Sequence, residues 1–242
     1  MAKAVSALRF DHVTVRYGGV NALADVTFTL ESGRVCGLIG PNGAGKTTLI
    51  NATTGIVPTS RGTIRLGAQR ISGLAPHRIA RAGIARTYQN IRLFAELSVA
   101  ENVAAGAFRN GPPTDAECAG FLRAAGIAHI DPGTRAGSLA YGDQRRLEIA
   151  RAIAARPAVI MLDEPAAGMN PHETHALGEL IRAIAADSSA VLLVEHDMPL
   201  VFAACDHVVV LNFGEVIAEG PPKEISRDPA VVEAYLGSET TE

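Results

Sequence analysis

The chain has no tryptophan and only three cysteines, Cys36, Cys118 and Cys205, spread over 242 residues. An odd number of widely separated thiols builds neither a disulfide framework nor a zinc site, so reduced cysteines packed in a core are expected. Neither sign of charge dominates, with 22 Lys and Arg against 25 Asp and Glu and a net charge of -3. That balance offers no basic patch to neutralise nucleic-acid phosphates, and nucleic acid is not expected as a partner. Long apolar runs are missing too. The longest, such as Ala190-Val191-Leu192-Leu193-Val194 and Val208-Val209-Val210-Leu211, are of strand length and bounded by charge, far short of a membrane span. The opening Met1-Ala2-Lys3-Ala4-Val5-Ser6 carries no signal-peptide core, so a cytoplasmic chain is expected unless another chain holds it at a membrane. His172 and His175 stand at i, i+3 beside Glu173 with no further ligand at a recognisable spacing. They read as the start of a solvated helix after Pro171.

Glycine is plentiful, and eight residues concentrate its meaning: Gly40-Pro41-Asn42-Gly43-Ala44-Gly45-Lys46-Thr47 spell a phosphate-binding P-loop. The apolar run Val35-Cys36-Gly37-Leu38-Ile39 precedes it and a helix-compatible stretch begins at Thr48, the strand–loop–helix context such a loop needs. The alternative, an ordinary glycine-rich turn, does not account for both flanks. Glycines let several backbone N–H groups aim at phosphate oxygens, and the helix start adds partial positive charge. Lys46 is placed to bridge the outer phosphates. The Thr47 hydroxyl suits one position in the octahedral shell of Mg²⁺.

Strand-like alternation from Leu8 to Leu30 around Tyr17-Gly18-Gly19, and from Thr63 to Ile71 around Gly67, predicts antiparallel strands beside the nucleotide core. From Ala95 to Pro157 the pattern is helical, broken by Gly111-Pro112-Pro113 and Asp131-Pro132-Gly133. Buried-strand runs at 158–162 and 190–194 enclose a helix from about His172 to Ala186. Short strands near 208–211 and 215–218 precede a helix through Tyr235. The fold expected is α/β, with a mainly parallel core sheet, an N-terminal antiparallel β subdomain and an inserted helical subdomain over roughly 95–157, all in one domain over 6–238.

Val159-Ile160-Met161-Leu162-Asp163-Glu164 is an apolar strand delivering two carboxylates at its carboxyl end, where open α/β sheets place ligands. Taken alone it reads equally well as a strand ending in ordinary exposed acids. Beside a P-loop it is the Walker B pattern, with Asp163 placed to hold Mg²⁺ through a water and Glu164 to activate the attacking water. Leu139-Ala140-Tyr141-Gly142-Asp143 then leads into a strongly helical segment. With Gln89 after Arg86-Thr87-Tyr88, and with Val194-Glu195-His196-Asp197, these motifs stand in the order found in ABC-transporter ATP-binding subunits, P-loop NTPases that the chain resembles over nearly its whole length. Any one of Tyr17, Gln89 or His196 alone would pass for a surface or packing residue. The wording of Ala85 to Phe94, Asp163 to Pro171, Glu195 to Met198 and Ala234-Tyr235-Leu236-Gly237 is similar to the LivG-type ATPases of branched-chain amino-acid importers.

The resemblance implies a head-to-tail dimer, homomeric or with a second related ATPase. Each ATP is sandwiched between the P-loop of one chain, Gly40 to Thr48, and the signature turn of the other. Tyr17 would stack on adenine, Gln89 would touch Mg²⁺ or water and report to the membrane permease subunits, His196 would meet the γ-phosphate, and Glu164 would act as base. The signature, Leu139 to Asp143, would clamp the partner's nucleotide from a helix start. A solute-binding protein outside the membrane would be an indirect partner, and the chain would sit peripherally on the inner face of the cell membrane. Ala140, Tyr141 and Asp143 depart from the general ABC signature, and Asn170 stands where the usual D-loop has aspartate, keeping hydrogen-bonding capacity without charge. Phe108 to Ala136 looks shorter than in the relatives. The alternatives are an importer of urea or amides, a lipid exporter, a translation or DNA-repair ATPase, which usually carries tandem domains or a coiled-coil insertion, and a nucleotide-binding module that does not hydrolyse.

Overall fold

The structure is a computed structural model that describes residues 6–187 and 189–236. Met1 to Val5 and Gly237, the last residue of the subfamily-like C-terminal segment, lie outside the described residues. In chain order the elements begin with β1 (Ser6–Tyr17), β2 (Val20–Glu31), β3 (Val35–Ile39), α1 (Lys46–Thr53), β4 (Arg61–Leu66), β5 (Gln69–Arg70), α2 (Pro76–Ala82) and β6 (Ile84–Arg86). The helical block follows, with α3 (Val99–Gly106), α4 (Asp115–Ala124) and α5 (Tyr141–Ala154). The chain then runs through β7 (Val159–Asp163), α6 (Pro171–Ala186), β8 (Ala190–Val194), α7 (Met198–Ala204), β9 (His207–Asn212), β10 (Glu215–Gly220), α8 (Pro222–Ile225) and α9 (Pro229–Leu236).

Alternation shapes the first sheet. β1 and β2 pair antiparallel, as the alternating sequence predicted, and the four-stranded order is β2-β1-β4-β5. The second sheet has six strands in the order β10-β9-β3-β8-β7-β6, parallel except for the β9/β10 hairpin. All five residues of β3, β7 and β8 are buried, which is why those strands read as unbroken apolar runs. Each fully buried Val, Leu or Ile contributes roughly 1.5–3 kcal/mol, so these strands anchor the domain.

The helices start where side chains satisfy their first N–H groups. Ser98 with Glu101, Thr114 with Glu117, and Asn170 with Glu173 each form a reciprocal capping box at the start of α3, α4 and α6. Each such cap is worth about 1 kcal/mol. The helical block packs around its own apolar cluster, including Val99, Val103, Leu122, Ile127, Leu147 and Ala150. Four elements were not predicted: α2, the short helix α8, the three-residue strand β6, too short to show a period, and α7, whose first turn holds Pro199 behind the N-cap Asp197. Cys36 and Cys205 are buried in the two clusters flanking the large sheet, and Cys118 in the helical cluster. Burial pushes the thiol of Cys205 up to about 12, far from reactivity.

Candidate functional site

Strand order assembles the site. β8 lies between β3 and β7, with β6 beyond, and these strands are parallel, so their carboxyl ends open on one edge. That edge receives the P-loop from β3, Glu195 and His196 from β8, Asp163 and Glu164 from β7, and Thr87 to Gln89 from β6. Asp163 is in register with Val194, which pairs with Leu38 two residues before Gly40.

The P-loop glycines take backbone angles closed to other residues. Gly40, Gly43 and Gly45 have φ of 148°, 78° and 108°. A Cβ on Gly40 would collide with the Leu211 carbonyl oxygen. The loop, the start of α1 and Glu164 line a cavity of about 600 Å³ together with Val20, Asn21, Ala22 and Phe213. The ammonium of Lys46 donates to the carbonyls of Gly40 at 2.5 Å and Pro41 at 3.0 Å. Burial pulls its pKa below the ordinary value, while the charges of Glu164 and Asp163 hold it up.

The carboxylates are held differently. Asp163, nearly buried, accepts from Arg86 Nη2 at 2.9 Å, and Arg86 Nη1 donates to Asn51 at 2.7 Å. Glu164 sits at φ 46°, a left-handed conformation that a non-glycine residue keeps only where its surroundings enforce it. Its N–H donates to the Val194 carbonyl at 2.9 Å, and its Oε2 accepts from Gln89 Nε2 at 2.6 Å. His196 is exposed, with Nδ1 3.9 Å from Glu164 Oε1. Gln89, Glu164 and His196 are therefore brought together beside the P-loop.

Other predicted residues lie apart from that cavity. Tyr17 ends β1, half exposed, and does not line it; Val20 and Phe213 do. Leu139 to Asp143 form the entry to α5, with Ala140 at the N-cap and Tyr141 half exposed, and none of them lines this chain's own P-loop cavity. Asn170 spends its side-chain oxygen on the N–H groups of His172 and Glu173 at the start of α6.

Several residues escaped the sequence reading. Glu195, almost fully buried, accepts from the N–H groups of Ala166 at 2.9 Å and His196 at 3.2 Å, tying the segment after Walker B to the His196 turn. Burial raises its pKa, opposed by those N–H donors. Arg145 is fully buried on α5, and Phe213 projects from the β9–β10 turn at φ 47° with 86% exposure. That turn is pinned to the P-loop: the N–H of Gly214 donates to the Ala44 carbonyl at 2.9 Å. Buried charge is invisible in a one-dimensional pattern, though a phenylalanine before a turn glycine was a signal available to find.

The geometry is that of a nucleoside-triphosphate site, and comparison with known proteins places it. The family model for ABC transporters matches residues 23–167, and that for the branched-chain amino acid ATP-binding cassette transporter matches residues 215–240. The chain is 43% identical to the high-affinity branched-chain amino acid transport ATP-binding protein BraF of Pseudomonas aeruginosa, over 95% of this chain and 97% of the relative. It is 41% identical to LivG of Escherichia coli, a protein with the same description, at the same coverage. The solved ADP conformation of MJ1267, an ATP-binding cassette of an ABC transporter, superposes with a TM-score of 0.87 at 30% identity, covering 96% of this chain and 99% of that one. P-loop, paired carboxylates and matching fold agree: the chain belongs to the ABC transporter ATP-binding family and is an ATP-hydrolysing subunit of a transporter complex.

Proposed function

We propose that the chain drives uptake of branched-chain or related hydrophobic amino acids, as one domain over 6–238 with the helical block 95–157 inserted. The cargo rests on similarity to BraF and LivG, and on the match of residues 215–240. The observation that carries the chemistry is Glu164, strained at φ 46° and held by Gln89 at 2.6 Å on the wall of the P-loop cavity.

Gly40 to Thr48 cradle the phosphates, and Lys46 exchanges its two loop carbonyls for phosphate oxygens. Thr47, Asp163 through a water, and the Gln89 side-chain oxygen left over from its bond to Glu164 are hard oxygen donors suited to Mg²⁺. Among the described residues no group of three His, Cys, Asp or Glu is placed to hold a metal. When bound, Mg²⁺ neutralises charge on the phosphate oxygens. Glu164 takes the proton of the attacking water, His196 donates to the γ-phosphate, and Tyr17 stacks on the base. Leu139 to Asp143 clamp the ATP of a second ATPase subunit, the same chain or a relative, with the Asn170 segment at the seam. None of these residues lines this chain's own P-loop cavity, which supports that division.

Among the described residues no helix is long and apolar enough to cross a membrane. Cargo passes through membrane permease subunits, to which a solute-binding protein delivers it, as similarity to BraF and LivG supports. The chain then works at the inner face of the cell membrane. A groove of about 560 Å³ between α2 and the helical block, lined by Tyr88, Arg92, Phe94, Phe108 and Arg151, lies beside Gln89 and supports docking of the permease there. ATP joins two chains, and hydrolysis releases them. The test is phosphate release with Mg-ATP over a wide range of protein concentration, beside Glu164→Gln. Specific activity that rises with concentration and vanishes in the variant is expected; activity insensitive to Glu164 would remove the base.

A further inference from the structure

Arg145 heads the fully buried side chains of the described residues by size. Its Nη1 donates to the Tyr88 carbonyl at 2.6 Å and to Glu148 Oε2 at 3.2 Å. Its Nη2 donates to the Gln89 carbonyl at 2.6 Å and to the Tyr141 hydroxyl at 3.2 Å. Its Nε has no partner.

Net stability is a weak reason for this residue: removing a guanidinium from water costs several kcal/mol, which the two carbonyls and Glu148 offset only in part. Glu148, the carboxylate beside it, is itself shared with Arg151 and the N–H of Arg92, and burial still raises its pKa. What the guanidinium achieves is geometric. Its planar fork grips the carbonyls of two consecutive residues, and a lysine presents no such fork. The second of those residues is Gln89, whose amide meets Glu164 at 2.6 Å. A continuous line of contacts thus runs from Tyr141 in the signature turn through Arg145 and Gln89 to Glu164.

We propose that Arg145 is a positioning residue for hydrolysis: it fixes the Gln89 main chain to the helix that begins at the signature turn, so that the placement of this helix sets the Gln89 amide on Glu164. The inference rests on the roles proposed above for Gln89, Glu164 and the signature turn. Its chemistry is confined to hydrogen bonds, and Arg145 touches no substrate.

Arg145→Lys keeps the charge beside Glu148 and loses the fork. In the full chain with Mg-ATP, kcat should fall about ten- to hundredfold, the scale on which small displacements of positioned groups act. KM for ATP should move by less than about twofold, because the P-loop is untouched. Gln89→Ala placed in the Arg145→Lys background should add little further loss, since both changes act through one contact. Losses in kcat that multiply, or a raised KM with kcat unchanged, overturn the inference and leave the role of Gln89 standing. Gln89→Ala alone with full kcat would remove that role, and the inference with it. If Arg145→Lys does not fold, Tyr141→Phe deletes only the hydroxyl at the far end of the line. It too should lower kcat without multiplying the loss from Gln89→Ala, and multiplicative behaviour again overturns the inference.

Discussion

Arg86→Met is expected to destabilise the nucleotide-free protein far more than the nucleotide-bound one. The Arg86 and Asp163 side chains are only 8% and 10% exposed, and their 2.9 Å pair is supported by the bond from Arg86 to Asn51. Methionine preserves the bulk and removes the charge, leaving the Asp163 carboxylate buried without its cation. Breaking such a pair costs about 3–5 kcal/mol. The lower end applies because Lys46 senses the charge of Asp163 and partly compensates. For a chain of this size about 3 kcal/mol corresponds to a fall in Tm of roughly 6–12 °C. In the proposed complex a divalent cation near Asp163 takes over part of the balancing, so the fall should shrink with Mg²⁺ and a non-hydrolysable ATP analogue. Thermal unfolding of both proteins, with and without that ligand, measures the difference. Equal falls in both conditions would refute the idea that Arg86 holds the place of a cation at Asp163. No fall without ligand would refute the buried pair as a stabilising contact.

Two further outcomes bear on the P-loop cavity. Gly40→Ala should lower stability by about 3 kcal/mol or more and abolish nucleotide binding, because φ of 148° excludes a side chain and the new methyl meets the Leu211 carbonyl; an unchanged Tm and ATP titration would contradict the loop geometry. Phe213→Trp introduces the sole tryptophan into a chain that has none, on the wall of that cavity. Its emission should change saturably with ATP, and emission indifferent to saturating nucleotide would contradict nucleotide binding in the cavity that Phe213 lines.

Much of the molecule was legible along the chain because its signals are local. An apolar run before a glycine-rich loop, an apolar strand ending in Asp163-Glu164 and alternation around Gly18-Gly19 each occupy a few adjacent residues. The capping pairs at Ser98, Thr114 and Asn170 are written at a spacing of three and could have set those helix starts from sequence. β6 was hidden because three residues show no period, and it forms because Ile84 to Arg86 find a backbone partner in β7.

What the tertiary structure alone decided is which distant groups meet. Arg86 and Asp163 are 77 positions apart, and Gln89 and Glu164 are 75 apart; each pair exists only because β6 docks beside β7 in parallel. The placement of β8 between the P-loop strand and the Walker B strand brings His196 to the same edge, and no local spacing encodes that order. The burial of Arg145 and Glu195 is equally a property of three dimensions: each polar side chain satisfies backbone groups contributed by another segment, and a sequence shows the side chain without showing the carbonyl or N–H that it meets.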